Sequence, residues 1–438
     1  MRYKESLLGK RIAVIGIGPE GEMLQDIKFL VKSNALVSVY DLRSEARLLE
    51  ETTALRSFGL ANLVMGQVPP DDLLDMDLIL LSHEYPRDSS FLAGVRAKGI
   101  DIEYPETLFL KLAPPITVIG IMGACGKSTV LSMLAPMLEA RSSSNNAACV
   151  IVDPESGGGV VSHLKKLTTG DVAVMKILPQ MMSEICALNW SPQIAVFTTI
   201  PLISSYRESP FEIMANQTYN NYVIGSDDII DAVRTSGFQT KAKLLRTKAS
   251  IVPEDWLPED VRAHDRDNAA LAVQAARILK VDDNAIQSAL VAWKPLKGRS
   301  EQLKKVRGID IVNDSASVVP MSTISCLSSI PGERNAIVIF GGADHGVDCR
   351  ELYASLKKRA KSLIVIPGSG TLRERPFLQR LDGIPVSSAP SVEEAVRMAM
   401  DQARKGDVVV YSPAFAVGGF DSSRKERSER FMRAVRSI

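Results

Sequence analysis

Apolar residues in this chain come in short β-type runs that alternate with longer stretches of helical character. The first runs cover residues 11–15, 36–40, 76–82 and 100–102. The stretches between them carry the spacing of amphipathic helices. Strands and helices that alternate in this way predict βα units, and therefore a parallel sheet.

The alternation continues through the other two thirds of the chain. Further strands are predicted at residues 116–119, 148–152, 172–177, 193–199, 309–315, 336–340, 362–367 and 407–412. Pro114 and Pro115 mark a first boundary, because proline continues neither a helix nor a central strand. We therefore predict an α/β protein of three consecutive domains with mainly parallel, doubly wound sheets. The predicted domains are Rossmann-like at 1–113, ATPase-like with a phosphate-binding loop at 114–298, and Rossmann-like at 299–438.

A glycine-rich loop, GIMGACGKST at residues 120–129, lies between the strand at 116–119 and a helical run. Glycines allow the backbone N–H groups and the helix dipole to face an anion. Lys127 is expected to reach the β- and γ-phosphates of a nucleotide, and the Ser128 hydroxyl to bind the accompanying Mg²⁺. Ile121 replaces the first glycine of the standard GxxxxGK[ST] pattern. The candidate nucleotide-binding residues of the loop are Gly123, Gly126, Lys127, Ser128 and Thr129.

Length, charge and cysteine content exclude several classes. A chain of 438 residues is expected to hold about two to four domains. The net charge of +1 favours neither nucleic acid nor a membrane surface as a partner. The sequence contains no apolar segment long enough to predict membrane insertion, so a cytoplasmic protein is expected. The five cysteines lack CxxC spacing, which predicts reduced thiols rather than disulfides or a zinc site. Cys125 is the exception to note, because it lies within the glycine-rich loop.

The first strand runs into a GxGxxG pattern at residues 16–21, and Asp41 follows at the end of the second strand. A dinucleotide-dependent oxidoreductase uses these features, and so does a domain for another nucleotide or a nucleotide sugar. The loop at 120–129 favours the second interpretation, because an enzyme that consumes ATP seldom also needs a hydride carrier.

The loop ending in GKST resembles the loop of the Mur ligase family, GxTGTNGK[ST]T, with Ala124 and Cys125 in place of threonine and asparagine. Residues 262–276 resemble the GxHNxxNAxAA element of that family, although an ordinary helix with polar first residues is the alternative. Further matches to the D-glutamate-adding branch follow in order and spacing over the whole chain. They are GR at 298–299, NDS at 313–315, GG at 341–342 and SPA at 412–414.

The resemblance implies an ATP-dependent acid–amino-acid ligase of peptidoglycan synthesis. It would phosphorylate the carboxylate of UDP-N-acetylmuramoyl-L-alanine, and the amine of an amino acid, D-glutamate, would attack the acyl phosphate. ATP and Mg²⁺ would be the cofactors, small molecules the partners, and the protein a monomer. The implied catalytic residues are Lys127 and His264, and Asn268, Arg299 and Asp314 would contact the nucleotide. The implied substrate residues are Gly18, Asp41, Leu42 and Arg43 for the UDP precursor, and His345, Ser412, Phe420 and Arg427 for the amino acid.

The chain departs from the family where metal ligands are expected. A glutamate, a histidine and a modified lysine of the family are replaced within residues 175–180, 198–203 and 215–218, and Ala316 and His345 replace two lysines. Two interpretations follow. The protein is a divergent ligase that uses one Mg²⁺, or a pseudo-ligase that binds nucleotide or UDP-sugar as a regulator or scaffold. The ligase is favoured, because a protein that only binds a nucleotide has less reason to keep contacts to it from both flanking domains.

Two further residues are open to two interpretations each, and a third lies in a charged run. Lys176 either supplies positive charge near the phosphates or is a solvated residue at a strand end. His83 either contacts substrate or is a surface-loop histidine, and the sequence favours the second interpretation. Within the charged run from Arg424 to Arg430, which is expected to form a solvated helix face, Arg427 is the member assigned to the amino-acid site.

Overall fold

The strands form three separate sheets, and every neighbouring pair but one is parallel. In the computed structural model the described residues are 2–438 apart from 19–20, 68–72, 84, 86–88, 146, 155, 157, 179–180, 200–209, 259–260, 345–347, 382 and 418–422, without the side chains of 2, 74 and 143–145. No helix within these ranges has the length and hydrophobicity needed to cross a membrane.

The first sheet has five parallel strands in the order β3-β2-β1-β4-β5. The strands are β1 (Arg11–Ile15), β2 (Leu36–Asp41), β3 (Asn62–Met65), β4 (Leu78–Leu81) and β5 (Asp101–Glu103). The helices are α1 (Arg2–Leu7), α2 (Leu24–Lys32), α3 (Leu49–Arg56), α4 (Ser90–Ala97) and α5 (Pro105–Leu112). The strand order reverses between β1 and β4, so the segments after these strands border the crevice where parallel sheets bind ligands.

The second sheet has six parallel strands in the order β11-β10-β9-β6-β8-β7. The strands are β6 (Thr117–Met122), β7 (Cys149–Val152), β8 (Val172–Lys176), β9 (Ile194–Phe197), β10 (Tyr222–Gly225) and β11 (Lys243–Arg246). The helices are α6 (Lys127–Asn145), α7 (Met182–Ala187), α8 (Asp227–Thr235), α9 (Ala263–Ile278) and α10 (Asp283–Ala292). The strands β6, β8 and β9 read as nearly continuous apolar runs because both faces of this sheet are buried.

The third sheet has six strands in the order β12-β13-β17-β14-β15-β16, with β12 antiparallel at one edge. The strands are β12 (Glu301–Gln302), β13 (Asp310–Asn313), β14 (Ala336–Phe340), β15 (Ala360–Val365), β16 (Val386–Ser388) and β17 (Val408–Tyr411). The helices are α11 (Pro320–Ser328), α12 (Arg350–Arg359), α13 (Ser369–Leu378), α14 (Val392–Gln402) and α15 (Arg424–Arg436). Separate apolar clusters cover its two faces.

Residue contacts divide the chain into two compact units. The first contains Met1–Gly123, Val130–Lys248 and Leu271–Ala289, and the second contains Ala124–Thr129, Ala249–Ala270 and Leu290–Ile438. The first two sheets share one hydrophobic core within the first unit. The predicted boundaries after residues 113 and 298 fall in the turns before β6 and before β12, and the domain assignment stays a prediction.

A buried carboxylate fastens α2 to the turn that follows β7. Asp26 is 1% exposed and accepts hydrogen bonds from the backbone N–H of Val160 at 2.8 Å and of Ser162 at 2.9 Å. Gly159 adopts φ +75° beside it, and a Cβ there would lie 2.8 Å from Oδ1 of Asp26. Burial, opposed by these N–H groups, raises the pKa of Asp26 to about 7.

The predicted fold class is confirmed: the chain is α/β with mainly parallel sheets. Each strand predicted from an apolar run is present. The strands that the sequence did not predict are β3, β10, β11, β12 and β16. Four of them are short, half-buried edge strands in which polar residues leave no long apolar run.

Candidate functional site

The glycine-rich loop connects the buried strand β6 to the start of α6, as the sequence predicts. Gly123 has φ +132° and Gly126 has φ +86°, values that side-chain-bearing residues rarely adopt. A Cβ at Gly123 would lie 2.3 Å from Oγ1 of Thr198 and 2.9 Å from the backbone nitrogen of Thr199. Gly123 is therefore required both by its backbone angle and by the close approach of the segment after β9.

The first turn of α6 carries the three polar residues of the loop. Lys127 is its first residue, and its Nζ donates to the carbonyl of Ala124 at 3.3 Å. Ser128 is half-buried, and Thr129 is buried. Backbone N–H groups at a helix N-terminus have no partner within the helix, so this turn has the chemistry of an anion site.

A second cation lies against the loop. Nη2 of Arg299 donates a hydrogen bond to Oγ of Ser128 at 3.1 Å, although 171 residues separate them. Both residues belong to the second compact unit. The structure thus brings together two residues that the sequence assigned separately to the nucleotide.

Asp314 follows β13 and lies at the centre of a cluster of hydroxyl groups. Its Oδ1 accepts from the backbone N–H of Ser300 at 2.8 Å, and its Oδ2 accepts from the hydroxyl groups of Ser317 and of Ser412, the latter at 2.6 Å. Burial raises the pKa of Asp314, and the hydroxyl hydrogen bonds oppose that shift. Ser412 is fully buried, so its observed contact is with Asp314, and its assignment to the amino-acid site stays a prediction.

His264 and Asn268 lie on the first turns of α9. Nε2 of His264 is 3.6 Å from Oδ1 of Asp265, and its side chain is 31% exposed. Burial lowers the pKa of His264, while the Asp265 carboxylate acts in the opposite direction. Asn268 is 7% exposed. The roles of both residues stay predictions.

The residues assigned to the UDP precursor meet at the end of β2. Asp41 is buried and accepts from the backbone N–H of Ile17 at 3.0 Å and from Nη2 of Arg43 at 2.7 Å. The same Nη2 donates to the carbonyl of Gly18 at 2.8 Å. Burial pushes the pKa of Asp41 upwards, but the hydrogen bonds from Arg43 outweigh it and the pKa is lowered. Leu42 is 47% exposed beside them, and the ligand of this group stays a prediction.

His83 differs from the surface-loop histidine that the sequence favoured. Its Nε2 lies 2.9 Å from Oε2 of Glu106, its side chain is only 16% exposed, and its ring stacks on Tyr104. Glu106 is fully buried in the first turn of α5. The segment after β4 borders the crevice of the first sheet, so this pair is a candidate binding feature of which the sequence named His83 but missed Glu106. The acidic residue in the first turn of α5 was the available signal.

Lys176 ends β8 and is not a solvated strand-end residue. It is 2% exposed, and its Nζ lies 3.3 Å from Oδ1 of Asp153, which follows the neighbouring strand β7. An ammonium group repels a divalent cation, so this strand end does not fit a metal. Within the described ranges, no three His, Cys, Asp or Glu side chains are grouped as a metal site would need. The Ser128 hydroxyl is a hard oxygen ligand, but the Arg299 guanidinium donates to it, so it fits one Mg²⁺ bound mainly by phosphates only when Arg299 turns from it to the phosphates.

Three residues assigned to the amino-acid site remain. His345 and Phe420 lie outside the described residues. Arg427 is 1% exposed rather than part of a solvated face, and its guanidinium donates to the carbonyl groups of Phe415, at 3.0 Å, and Ala416. Its observed contacts therefore hold the turn after β17, and its role towards a ligand stays a prediction.

Comparisons with known proteins agree with this architecture. Residues 298–415 match a protein-family model described as "Mur ligase, glutamate ligase domain". The UDP-N-acetylmuramoylalanine–D-glutamate ligase of Clostridioides difficile is 25% identical over 99% of both chains. The ligase of the same name from Koribacter versatilis is 27% identical over 98% of both chains.

Solved structures share the fold. The murein peptide ligase of Psychrobacter arcticus has a TM-score of 0.61 at 15% identity, covering 98% of this chain and 99% of that one. The UDP-N-acetylmuramate–alanine ligase of Thermotoga maritima has a TM-score of 0.59 at 16% identity, covering 98% and 99%. The MurF ligase of the same organism, solved in complex with ADP, has a TM-score of 0.55 at 16% identity, covering 100% and 96%. The chain thus carries a Mur ligase glutamate ligase domain at residues 298–415, and over its whole length it resembles the UDP-N-acetylmuramoylalanine–D-glutamate ligases.

Proposed function

We propose that this protein is an ATP-dependent ligase that joins D-glutamate to UDP-N-acetylmuramoyl-L-alanine in peptidoglycan synthesis. The observation that carries the proposal is the hydrogen bond from Arg299 to Ser128, which adds a second cation to a loop where Lys127 supplies the first. Two anionic reactants can meet at a phosphoryl group only where positive charge is concentrated. The named relatives, similar over 98–99% of this chain, supply the substrate and the amino acid.

The proposed reaction has two steps. A carboxylate oxygen of the UDP precursor attacks the γ-phosphorus of ATP, and the bond from that phosphorus to the bridging oxygen breaks as ADP leaves. The amine of D-glutamate then attacks the acyl carbon, phosphate leaves with the bonding electrons, and the amine proton passes to a base. His264, which the resemblance assigns to the site, is the proposed base, and the lowering of its pKa by burial favours the neutral ring that can accept a proton.

The phosphate groups require charge neutralisation throughout. The N–H groups at the start of α6 and the Lys127 ammonium would hold the β- and γ-phosphates, and Arg299 would orient the transferred group. Mg²⁺ bound through the Ser128 hydroxyl would supply further neutralisation of the phosphates. Asn268 would contact adenine, and Asp314 would keep the Arg299 segment in place through Ser300.

The three predicted domains would divide the substrates. Residues 1–113 would bind the UDP precursor, with Gly18, Asp41 and Arg43 bordering its nucleotide. Residues 114–298 would bind ATP. Residues 299–438 would complete the nucleotide site and receive the amino acid. We propose a cytoplasmic monomer with small-molecule partners.

A pseudo-ligase is the second candidate, and one observation favours it. The buried pair of Lys176 and Asp153 lies where the family pattern places a metal-binding glutamate. A regulator that binds nucleotide or UDP-sugar needs no metal ligand at that strand end, whereas a ligase must complete its charge neutralisation with one Mg²⁺ and its own cations.

Mass spectrometry of a defined reaction separates the two. Purified protein is incubated with MgATP, UDP-N-acetylmuramoyl-L-alanine and a mixture of amino acids that includes D-glutamate. The ligase predicts a UDP product heavier by one glutamate, formed together with ADP. Lys127→Ala should abolish the product, while Lys98→Ala, which removes an exposed lysine, should retain it. Binding of MgATP without any product would support the pseudo-ligase instead.

A further inference from the structure

The segment that carries Arg299 is held in an unusual backbone conformation. Gly298 has φ +69°, and Ser300 has φ +47°, in the left-handed region that residues with a side chain avoid. Two carboxylates hold this geometry from one side: Glu301 accepts from the N–H of Gly298 at 2.8 Å, and Asp314 accepts from the N–H of Ser300 at 2.8 Å. The N–H groups of the segment are thus fixed, and its carbonyl groups need a separate partner.

Arg262 supplies that partner. Its Nη1 donates to the carbonyl of Ser300 at 2.7 Å, and Nη1 and Nη2 both lie 3.3 Å from the carbonyl of Arg299. On its other side, Nε and Nη2 of Arg262 lie 3.0 and 2.9 Å from Oδ2 of Asp265. Asp265 is 2% exposed, so the arginine is anchored to a buried carboxylate. A planar guanidinium with five donors can make both sets of bonds at once, whereas a lysine ammonium cannot.

We propose that Arg262 and Asp265 form a brace that positions Arg299 against Ser128. This inference rests on the proposed nucleotide-binding function of the loop. Arg262 bonds to the carbonyl of Arg299 itself, one residue away from the left-handed turn, so the brace sets the direction in which the Arg299 side chain leaves the backbone. Arg262 is therefore a positioning residue that acts through Arg299, with Asp265 as its anchor.

The brace also connects two parts of the proposed nucleotide site. Asp265 lies on the first turn of α9, three residues before Asn268, the proposed adenine contact. Arg262 links this turn to the segment that presents Arg299 to the phosphate-binding loop. Recognition of the base and of the phosphates is then coupled through one arginine. The pattern GxHNxxNAxAA, which this segment resembles, has glycine and asparagine at these positions, so the pair is a feature of this chain.

A double-mutant cycle tests the brace. The dissociation constant of MgATP is measured by calorimetry for the full chain and for Arg262→Gln, Arg299→Gln and the double variant. Arg299→Gln should weaken binding by about tenfold or more, the range of one charged hydrogen bond. Arg262→Gln should weaken it by about three- to tenfold, and the double variant should bind no more weakly than Arg299→Gln alone. Arg266→Gln, which removes a half-buried arginine on the same helix, is the matched control and should change binding less than about twofold.

Hydrogen exchange of peptides that span residues 298–303 gives a second readout that needs no nucleotide. Arg262→Gln should accelerate exchange there, and Arg262→Lys should bind MgATP with intermediate affinity while remaining folded. Fold losses that multiply in the double variant, or unchanged exchange in Arg262→Gln, would overturn the brace. If the unaltered protein does not bind MgATP, the proposed function fails, and the exchange comparison still decides whether Arg262 holds the segment.

Discussion

Replacement of Asp26 by asparagine should remove a pH dependence from the folding stability of the first unit. The carboxyl group is 1% exposed, and its pKa is raised from 3.8 to about 7, first by burial and further by the nearby Glu106 carboxylate. The folded protein therefore binds this proton more tightly than the unfolded chain does. The resulting stabilisation is complete below pH 3.8 and is lost as the pH rises through about 7.

The size of the effect follows from these two pKa values. Each tenfold difference in proton affinity corresponds to about 1.4 kcal/mol, so the interval between pH 5 and pH 7 corresponds to about 3 kcal/mol of unfolding free energy. Above pH 8, the ionised carboxylate keeps its bonds to the N–H groups of Val160 and Ser162 but bears the full cost of burial.

Urea unfolding at pH 5, 6, 7 and 8 measures this directly. Fluorescence of Trp190, which packs against the core of the first unit, follows the transition. The asparagine variant cannot titrate, so the stability of wild type minus that of Asp26→Asn should fall by about 3 kcal/mol from pH 5 to pH 8. Titrating groups that do not interact with Asp26 cancel in this difference, and Glu106 is the named group that interacts with it. A difference that stays constant, or that grows with pH, would refute the reasoning.

Three further changes test other parts of the structure. Gly123→Ala should weaken MgATP binding by about tenfold or more, because the added Cβ collides with the segment after β9. Gly158→Ala, where a Cβ meets no such obstacle, should leave binding unchanged. Fluorescence titration with a labelled ATP analogue compares the two variants. Asp314→Asn should lower the unfolding free energy by about 1–3 kcal/mol, because the hydroxyl groups around it lose a charged acceptor; urea unfolding measures the loss, and an unchanged midpoint would contradict it. His83→Ala should lower it by about 1–3 kcal/mol, because the buried Glu106 side chain loses a hydrogen-bond partner, and His83→Gln should recover part of this in thermal unfolding.

The sequence predicted the central strands and the glycine-rich loop because both depend on local patterns. Strands such as β6 and β14 are buried on both faces and appear as apolar runs. The loop needs glycines at particular backbone positions, and Lys127 and Ser128 follow those glycines within a few residues. The edge strands β3 and β16 have only 4 and 3 residues and each includes an exposed polar residue, so their apolar runs are too short to predict a strand.

The contacts of the candidate site could not be predicted because they join distant segments. Arg299 meets Ser128 across 171 residues, and Arg262 meets the carbonyl of Ser300 across 38. Lys176 was ambiguous in the sequence because its burial and its partner Asp153 depend on the pairing of β7 with β8. The residue types in the sequence indicated which side chains could bind a ligand. Which of these side chains contact one another depends on the three-dimensional fold.

The distribution of thiols leaves two of the five cysteines, Cys125 in the glycine-rich loop and Cys186 in α7, as the candidates for chemical labelling. Burial raises the pKa of Cys149 and of Cys349 to about 12, and that of Cys326 well above its usual value, so these three stay protonated and slow to react at neutral pH. Cys125 is half-buried and lies inside the loop itself. An alkylating reagent that modifies Cys125 would carry its label to the place where the phosphates are proposed to bind, and a bound nucleotide would shield that thiol. With Cys186 replaced by serine, labelling of Cys125 would report on the proposed nucleotide binding without an added cysteine.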